Sequence, residues 1–90
     1  MSLEIQFNKK FLKDLSQIPE LQRKKIELYV FQDASSFKGL EDVRGLKKLK
    51  GFKHYYRIRF GNYRAGISYK ENVLTFERLL HRKDIYKYYP

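Results

Sequence analysis

A chain of 90 residues suffices for one domain with one modest core, spanning residues 1–90. It has no cysteine, which excludes disulfides and thiolate metal sites, and no apolar run near the length of a membrane span. Its net charge is +10, from 20 Lys and Arg against 10 Asp and Glu, which suits an acidic partner, nucleic acid or protein.

The segment Met1–Ile5 lacks the basic and apolar regions of a signal peptide, so a soluble cytoplasmic protein is expected. Leu3–Phe7 alternates apolar and polar residues and is expected to be a short strand. Asn8 suits an N-cap, and Phe11, Leu15 and Ile18 at i, i+4 and i+7 predict a helix over about residues 9–17. Pro19 and Glu20 suit the first turn of a second helix, which Leu21, Ile26, Leu28, Tyr29 and Val30 carry to about residue 34. So short a connection predicts an antiparallel helical hairpin. From Ala34 to Gly51 the pattern is soft, and reads as a connection with one helical turn and with Leu46 and Leu49 against the core. Lys47, Lys48, Lys50 and Lys53 make a basic run before the next strand, suited to a solvated loop or to an RNA backbone.

Tyr55–Arg64 reads as a β-hairpin around Gly61-Asn62, because a two-residue loop with glycine first signals a tight turn. That loop fixes the register. Phe60 faces Tyr63, Arg59 faces Arg64, Ile58 faces Ala65 and Arg57 faces Gly66. Alternation then puts Tyr56, Ile58, Phe60, Tyr63, Ala65 and Ile67 on one apolar face, and Arg57, Arg59 and Arg64 on the other. Like charges facing each other in a sheet repel. The three guanidinium groups suit either a solvated outer face or an anion site, with phosphate the natural ligand of their forks. Tyr63–Lys70, a turn at Glu71-Asn72 and Val73–Leu80 complete a three-stranded antiparallel meander, joined by the N-terminal strand. Carrying the register through that turn sets Glu77 beside Gly66 on the arginine face, placed to hold an arginine. His81–Pro90 is a short helical tail rich in basic and aromatic residues. The expected fold is α+β, with the helical hairpin on one face of a small antiparallel sheet and the arginines on the other.

The positive charge lies in one half of the chain. Residues 1–43 hold seven Lys/Arg and seven Asp/Glu, whereas residues 44–90 hold thirteen Lys/Arg and only Glu71, Glu77 and Asp84. His54 and His81 make no metal-ligand spacing, so neither a metal nor another cofactor is expected. There is no Gly-rich phosphate loop, dinucleotide fingerprint or nucleophile elbow. What remains is a metal-free set: Arg57, Arg59, Arg64, His81, Arg82 and Tyr86. RNA brings its own nucleophile, the 2′-hydroxyl. Arginines can stabilise the charge that develops on phosphorus, and a His or Tyr can move protons. Tyr55, Tyr86 and Tyr88 suit stacking on unpaired bases, and Lys83 and Lys87 add cations beside them. His81 equally suits a strand-end position, and Tyr86, Tyr88 and Tyr89 equally suit packing of the tail on the sheet.

The order of elements, the hairpin at residues 55–64 and the closing His81-Arg82-Lys83-Asp84-Ile85-Tyr86 resemble the RelE/ParE superfamily of bacterial toxins over nearly the whole chain. The resemblance implies the small basic toxin of a type II toxin–antitoxin pair, monomeric alone and oligomeric once its cognate antitoxin wraps around it. RelE-like members are metal-independent endoribonucleases, or mRNA interferases. They cleave mRNA in the ribosomal A site through a 2′,3′-cyclic phosphate and so inhibit translation. By resemblance, Arg57 and Arg59 sit where RelE-like enzymes often have lysines, and Arg64 matches the arginine after the turn. Arg82 and Tyr86 look like the C-terminal arginine and tyrosine, and His81 like the histidine of many relatives. Arginine in place of lysine removes a proton-transfer group and moves that task to His81 or Tyr86. The loop at residues 35–51 looks longer than in the shortest members, and no long C-terminal helix follows. Two other readings stay open: a ParE-like toxin that inhibits DNA gyrase without cleaving anything, and a degenerate toxin that only binds its antitoxin.

Overall fold

A computed structural model describes residues 3–90. Met1 and Ser2, the start of the segment read for a targeting signal, lie outside the described residues. Strand β1 (Glu4–Phe7) leads into α1 (Lys9–Ser16). The Asn8 side chain caps α1 by accepting from the Lys10 amide at 2.9 Å. Pro19 sits just before α2 (Glu20–Glu27) rather than inside its first turn, and its carbonyl accepts from the Arg23 amide at 2.8 Å.

The second helix does not run on as one regular helix. It widens into a π turn at Leu28–Gln32 and tightens into a 3-10 turn at Asp33–Ser36. Ile26, Val30 and Ala34 are all buried at intervals of four. In an α-helix each such step drifts by about 40° from one line, and a wider turn takes that drift back. The soft segment after it holds a second 3-10 turn at Leu40–Asp42 and a two-residue strand, β2 (Lys47–Lys48). No pattern in the sequence marks β2, because its two residues are both lysines and neither is buried.

Strands β3 (Tyr55–Phe60), β4 (Tyr63–Lys70) and β5 (Val73–His81) form the meander, and α3 (Ile85–Tyr88) closes the chain. The sheet has five strands in the order β1-β5-β4-β3-β2. β1 is parallel to β5 and the other pairs are antiparallel. The β3–β4 register is the expected one, from Phe60 opposite Tyr63 to Arg57 opposite Gly66. Gly61 has φ +59° while Asn62 does not enter the positive range, as a glycine-first hairpin turn requires.

The second turn differs, because Glu71 and Asn72 have φ values of 51° and 67°. An L-residue such as Glu71 is strained there. Glu71→Gly is therefore expected to raise stability by about 0.5–1 kcal/mol, seen as a higher urea midpoint at unchanged slope.

A β-bulge between Gly66 and Ile67 breaks the β4–β5 register. Ile67 pairs with Phe76, but Gly66 pairs with Arg78, so Glu77 is the extra residue and does not pair with Gly66. The Glu77 carboxylate accepts from Ser68 Oγ at 2.7 Å and from Asn8 Nδ2 at 3.1 Å, and so serves the N-terminus of α1 rather than an arginine. Beyond the bulge every side chain of β5 changes face. Leu79 turns into the core, and His81 turns with it.

The core lies between the helices and the inner face of the sheet. Phe11, Leu15 and Ile18 meet Ile58, Ala65, Ile67, Leu74, Phe76 and Leu79, all nearly inaccessible. Asp14, on the same helix, takes the Arg78 guanidinium at 2.8 and 3.3 Å and the Leu79 amide at 3.0 Å. This ties α1 to the stretch just past the bulge.

The C-terminal tail covers part of the sheet, with α3 against β4 and β5. Tyr89 presses its ring onto Gly66, where a Cβ would lie 2.5 Å from the ring. The Tyr89 hydroxyl reaches the carbonyls of Tyr56, at 3.1 Å, and Ile67. Burial holds its pKa far above the usual tyrosine value, so the donor form persists in the fold. A raised folded pKa means this stabilisation is complete below the ordinary tyrosine range and is lost only as pH rises through the folded value. No helix among the described residues is long and apolar enough to cross a membrane.

Candidate anion site

The outer face of the β3–β4 hairpin carries the site. Arg57, Arg59 and Arg64 project from paired strands, and Lys47 of β2 is paired with Arg57. With Gly45 these four line a cavity of about 160 Å³. The turn helps to gather them. The Gly61 carbonyl accepts from Arg64 Nη1 at 2.8 Å and, at a longer 3.4 Å, from Arg59 Nε. Arg64 Nη1 also donates to the Tyr63 carbonyl at 3.1 Å.

The electrostatics stem from that crowding. The Arg64 pKa is lowered, first by burial of the guanidinium and then by repulsion from Arg59, Arg57 and Arg82, while Tyr86 acts the other way. Arginine stays protonated all the same. The repulsion is thus held in the folded state, and a bound anion would relieve it. Arg82 reaches this neighbourhood because its amide donates to the Asn62 carbonyl at 2.8 Å, pinning the start of the tail to the hairpin turn.

Beside the cavity lies a wider cleft of about 530 Å³, and Arg57 belongs to both. One wall is the loop with Lys48, Lys50 and Phe52, and the other is Tyr86, Tyr89 and Pro90. Phe52 meets Tyr55 edge-on at 5.8 Å, and Tyr55 meets Tyr89 edge-on at 5.7 Å. Tyr86 is 59% exposed, so its ring and hydroxyl are free to meet a ligand.

The outer face thus unites Arg57, Arg59, Arg64, Arg82, Tyr86 and Lys47, with Tyr55, Lys48 and Lys50 along the cleft. Lys53 is exposed on the same loop, lining a shallow hollow with Lys48 and Lys50. Lys83 is exposed, and the Lys87 ammonium lies 3.9 Å from Asp84. His81 is elsewhere. It pairs with Tyr63, meets that ring edge-on at 5.8 Å, and lines a hollow with Asp14, Gln17 and Ile18 on the helix side. Without the bulge it would share the arginine face. Its Nδ1 accepts from the Lys83 amide at 3.2 Å, which leaves Nε2 as the proton-bearing nitrogen of the neutral ring.

Sequence reasoning missed Gly45, Gly61, Phe52 and Tyr89 as parts of this site. Gly61 was legible as a turn, but its carbonyl's hold on two arginines was not. Among the described residues, no group of three or more His, Cys, Asp or Glu is placed to hold a metal ion.

No family model matches the chain. A curated relative, Toxin RelE3 of Methanocaldococcus jannaschii, is 43% identical over 89 residues, covering 98% of this chain and 100% of the relative. Among solved structures, a chain of the RelB-RelE antitoxin-toxin complex from Methanococcus jannaschii is 42% identical with a TM-score of 0.75, covering 94% of this chain and 99% of that one. A chain of the toxin-antitoxin complex RelBE2 from Mycobacterium tuberculosis has a TM-score of 0.69 at 21% identity, covering 91% of this chain and 100% of that one, which is likeness of fold alone.

Proposed function

The chain belongs to the RelE family of toxins, and from that membership we propose that it is the ribonuclease partner of a toxin–antitoxin pair. It cleaves mRNA on the ribosome without a metal and so stops translation. One observation carries this reading: Arg57, Arg59, Arg64 and Lys47 surround a single small cavity, with Arg82 and Tyr86 acting on Arg64 at its rim.

The chemistry needs little more than this. The RNA 2′-oxygen attacks the adjacent phosphorus, its proton passing to a base or to water. The 5′-oxygen leaves and takes up a proton, giving a 2′,3′-cyclic phosphate and a 5′-hydroxyl. Charge builds on the non-bridging oxygens on the way, and the arginines meet it there. Preorganised donors of this kind are worth about 10²–10³ in rate each. Proton transfer falls to Tyr86, since His81 faces the helices. Lys48, Lys50, Lys53 and Tyr55 hold the flanking nucleotides, by charge and by stacking.

The partner is an antitoxin, as in the RelB-RelE complex of similar sequence. It covers the basic half of the chain and the exposed apolar residues of the helices, Leu12, Leu21, Leu28 and Phe31. The toxin acts in the cytoplasm, as a monomer when released.

The test is direct. Purified protein is incubated with ribosomes bearing a defined mRNA in the presence of chelator, and the RNA ends are mapped. Cuts ending in 2′,3′-cyclic phosphate are expected. Intact mRNA from a preparation that still arrests growth would reject the nuclease and point to a gyrase target.

A further inference from the structure

A second cluster of interacting side chains stands behind the site, where the π turn of the second helix meets the loop that carries Lys47. Tyr29 leaves the π turn half-buried, its ring edge-on to Phe37 at 5.8 Å and to Phe60 at 5.2 Å. Its hydroxyl donates to the Arg44 carbonyl at 2.9 Å. The Arg44 guanidinium folds back over the same ring, 5.7 Å from its centre, and reaches Asp33 at 3.1 Å. Arg44 is thus held firmly at its carbonyl, while its largely exposed guanidinium rests over the ring and pairs through one nitrogen with Asp33.

That grip matters because of the residues just beyond Arg44. Gly45, at φ +77°, turns the chain into β2, and both Gly45 and Lys47 line the arginine cavity. Strand β2 is an edge of only two residues. Such an edge has little pairing of its own to fix it. Val43 is buried and Leu46 packs partly against the core, so the side chains on either side are anchored while the backbone between them turns freely about glycine. The Tyr29 hydroxyl fixes that backbone at the residue before the turn.

We infer that the Tyr29–Arg44–Asp33 cluster is a positioning device, which holds the Gly45–Lys48 edge over the arginine face so that Lys47 engages the RNA phosphate together with Arg57. The inference rests on the reading of this face as an RNA site. Tyr29 touches no substrate. It acts through Lys47.

The test measures binding of a fluorescein-labelled oligouridylate, carrying 2′-O-methyl groups so that it is not cut, over a range of salt. Each phosphate contact to single-stranded nucleic acid adds about 0.7 to the slope of log affinity against log salt. Tyr29→Phe, which keeps the ring packing, should lower the slope by about that one contact, as should Lys47→Ala. In a Lys47→Ala background Tyr29→Phe should change nothing further. Amide exchange in Tyr29→Phe should quicken at residues 46–49 and stay slow in β4 and β5. A wild-type slope in Tyr29→Phe, additive losses in the double variant, or faster exchange throughout the sheet would each overturn the positioning role. Arg59→Ala is run alongside. Wild-type binding without salt dependence, or untouched by Arg59→Ala, would reject the RNA reading of the face and the positioning role with it. Binding that does depend on Arg59 but not on Tyr29 would reject the positioning role alone.

Discussion

Arg64→Ala is expected to slow mRNA cleavage on the ribosome by about 10²–10³-fold while the protein still melts cooperatively within a few degrees of the wild type. Arg64 occupies the crowded centre of the outer face, with Arg57, Arg59, Arg82 and Tyr86 all acting on it. Its removal takes away the fork that two turn carbonyls hold in place. The fold loses only polar contacts made at a partly exposed residue. Arg64→Lys keeps the charge but not the planar fork, so its rate should fall between the two. Single-turnover cleavage and a thermal melt on the same preparations check both. Cleavage by Arg64→Ala at the wild-type rate would mean that the reaction centre lies elsewhere.

Gly66→Ala should cost about 2–4 kcal/mol, lowering the melting temperature by roughly 10–20 °C. The added methyl would stand 2.5 Å from Cγ of Tyr89, which lies on the axis of the ring's own rotation, so flipping the ring cannot clear it. The tail must lift, or swing the ring off its seat about χ1. It then gives up a buried aromatic ring and a hydroxyl shared between strands β3 and β4. Tyr89→Ala should lose a similar amount, and the double variant little more than either alone, because the two substitutions break one contact. Calorimetry on the three proteins decides it. Losses that add in full would mean that Gly66 is needed for a reason other than Tyr89.

The site was legible where local rules fix geometry, and illegible where a distant partner does. Gly61-Asn62 sets a two-residue loop, and parity alone then gathers Arg57, Arg59 and Arg64 on one face. The strand β5 offered no such marker. Its buried positions are Leu74, Phe76 and then Leu79, and that jump of three is the trace the bulge leaves in the burial pattern. The doublet Leu79-Leu80 lets either continuation look apolar, and His81, grouped with the arginines for its chemistry and by resemblance, lies on the other face. Lys47 opposite Arg57 was out of reach, since a strand of two exposed lysines has no pattern to read. Tyr89 was out of reach for another reason: its seat is defined by a glycine more than twenty residues earlier. The helices came through as elements, but the π turn that resets the phase after Glu27 did not.

The parallel pairing of β1 with β5 joins residues 4–7 to residues 73–76, the two ends of the domain. Such contacts are the slowest to form, because nearly the whole chain must be closed into a loop before they give anything back. On a translating ribosome the two helices therefore emerge with their apolar sides uncovered, and wait for the last strand. The arginine hairpin emerges before the strand and the tail that support it. A chain cut short before β5 would carry all three hairpin arginines and still have no finished surface to hold them on, so the arginine face is completed only once β5 and the tail behind it have been made.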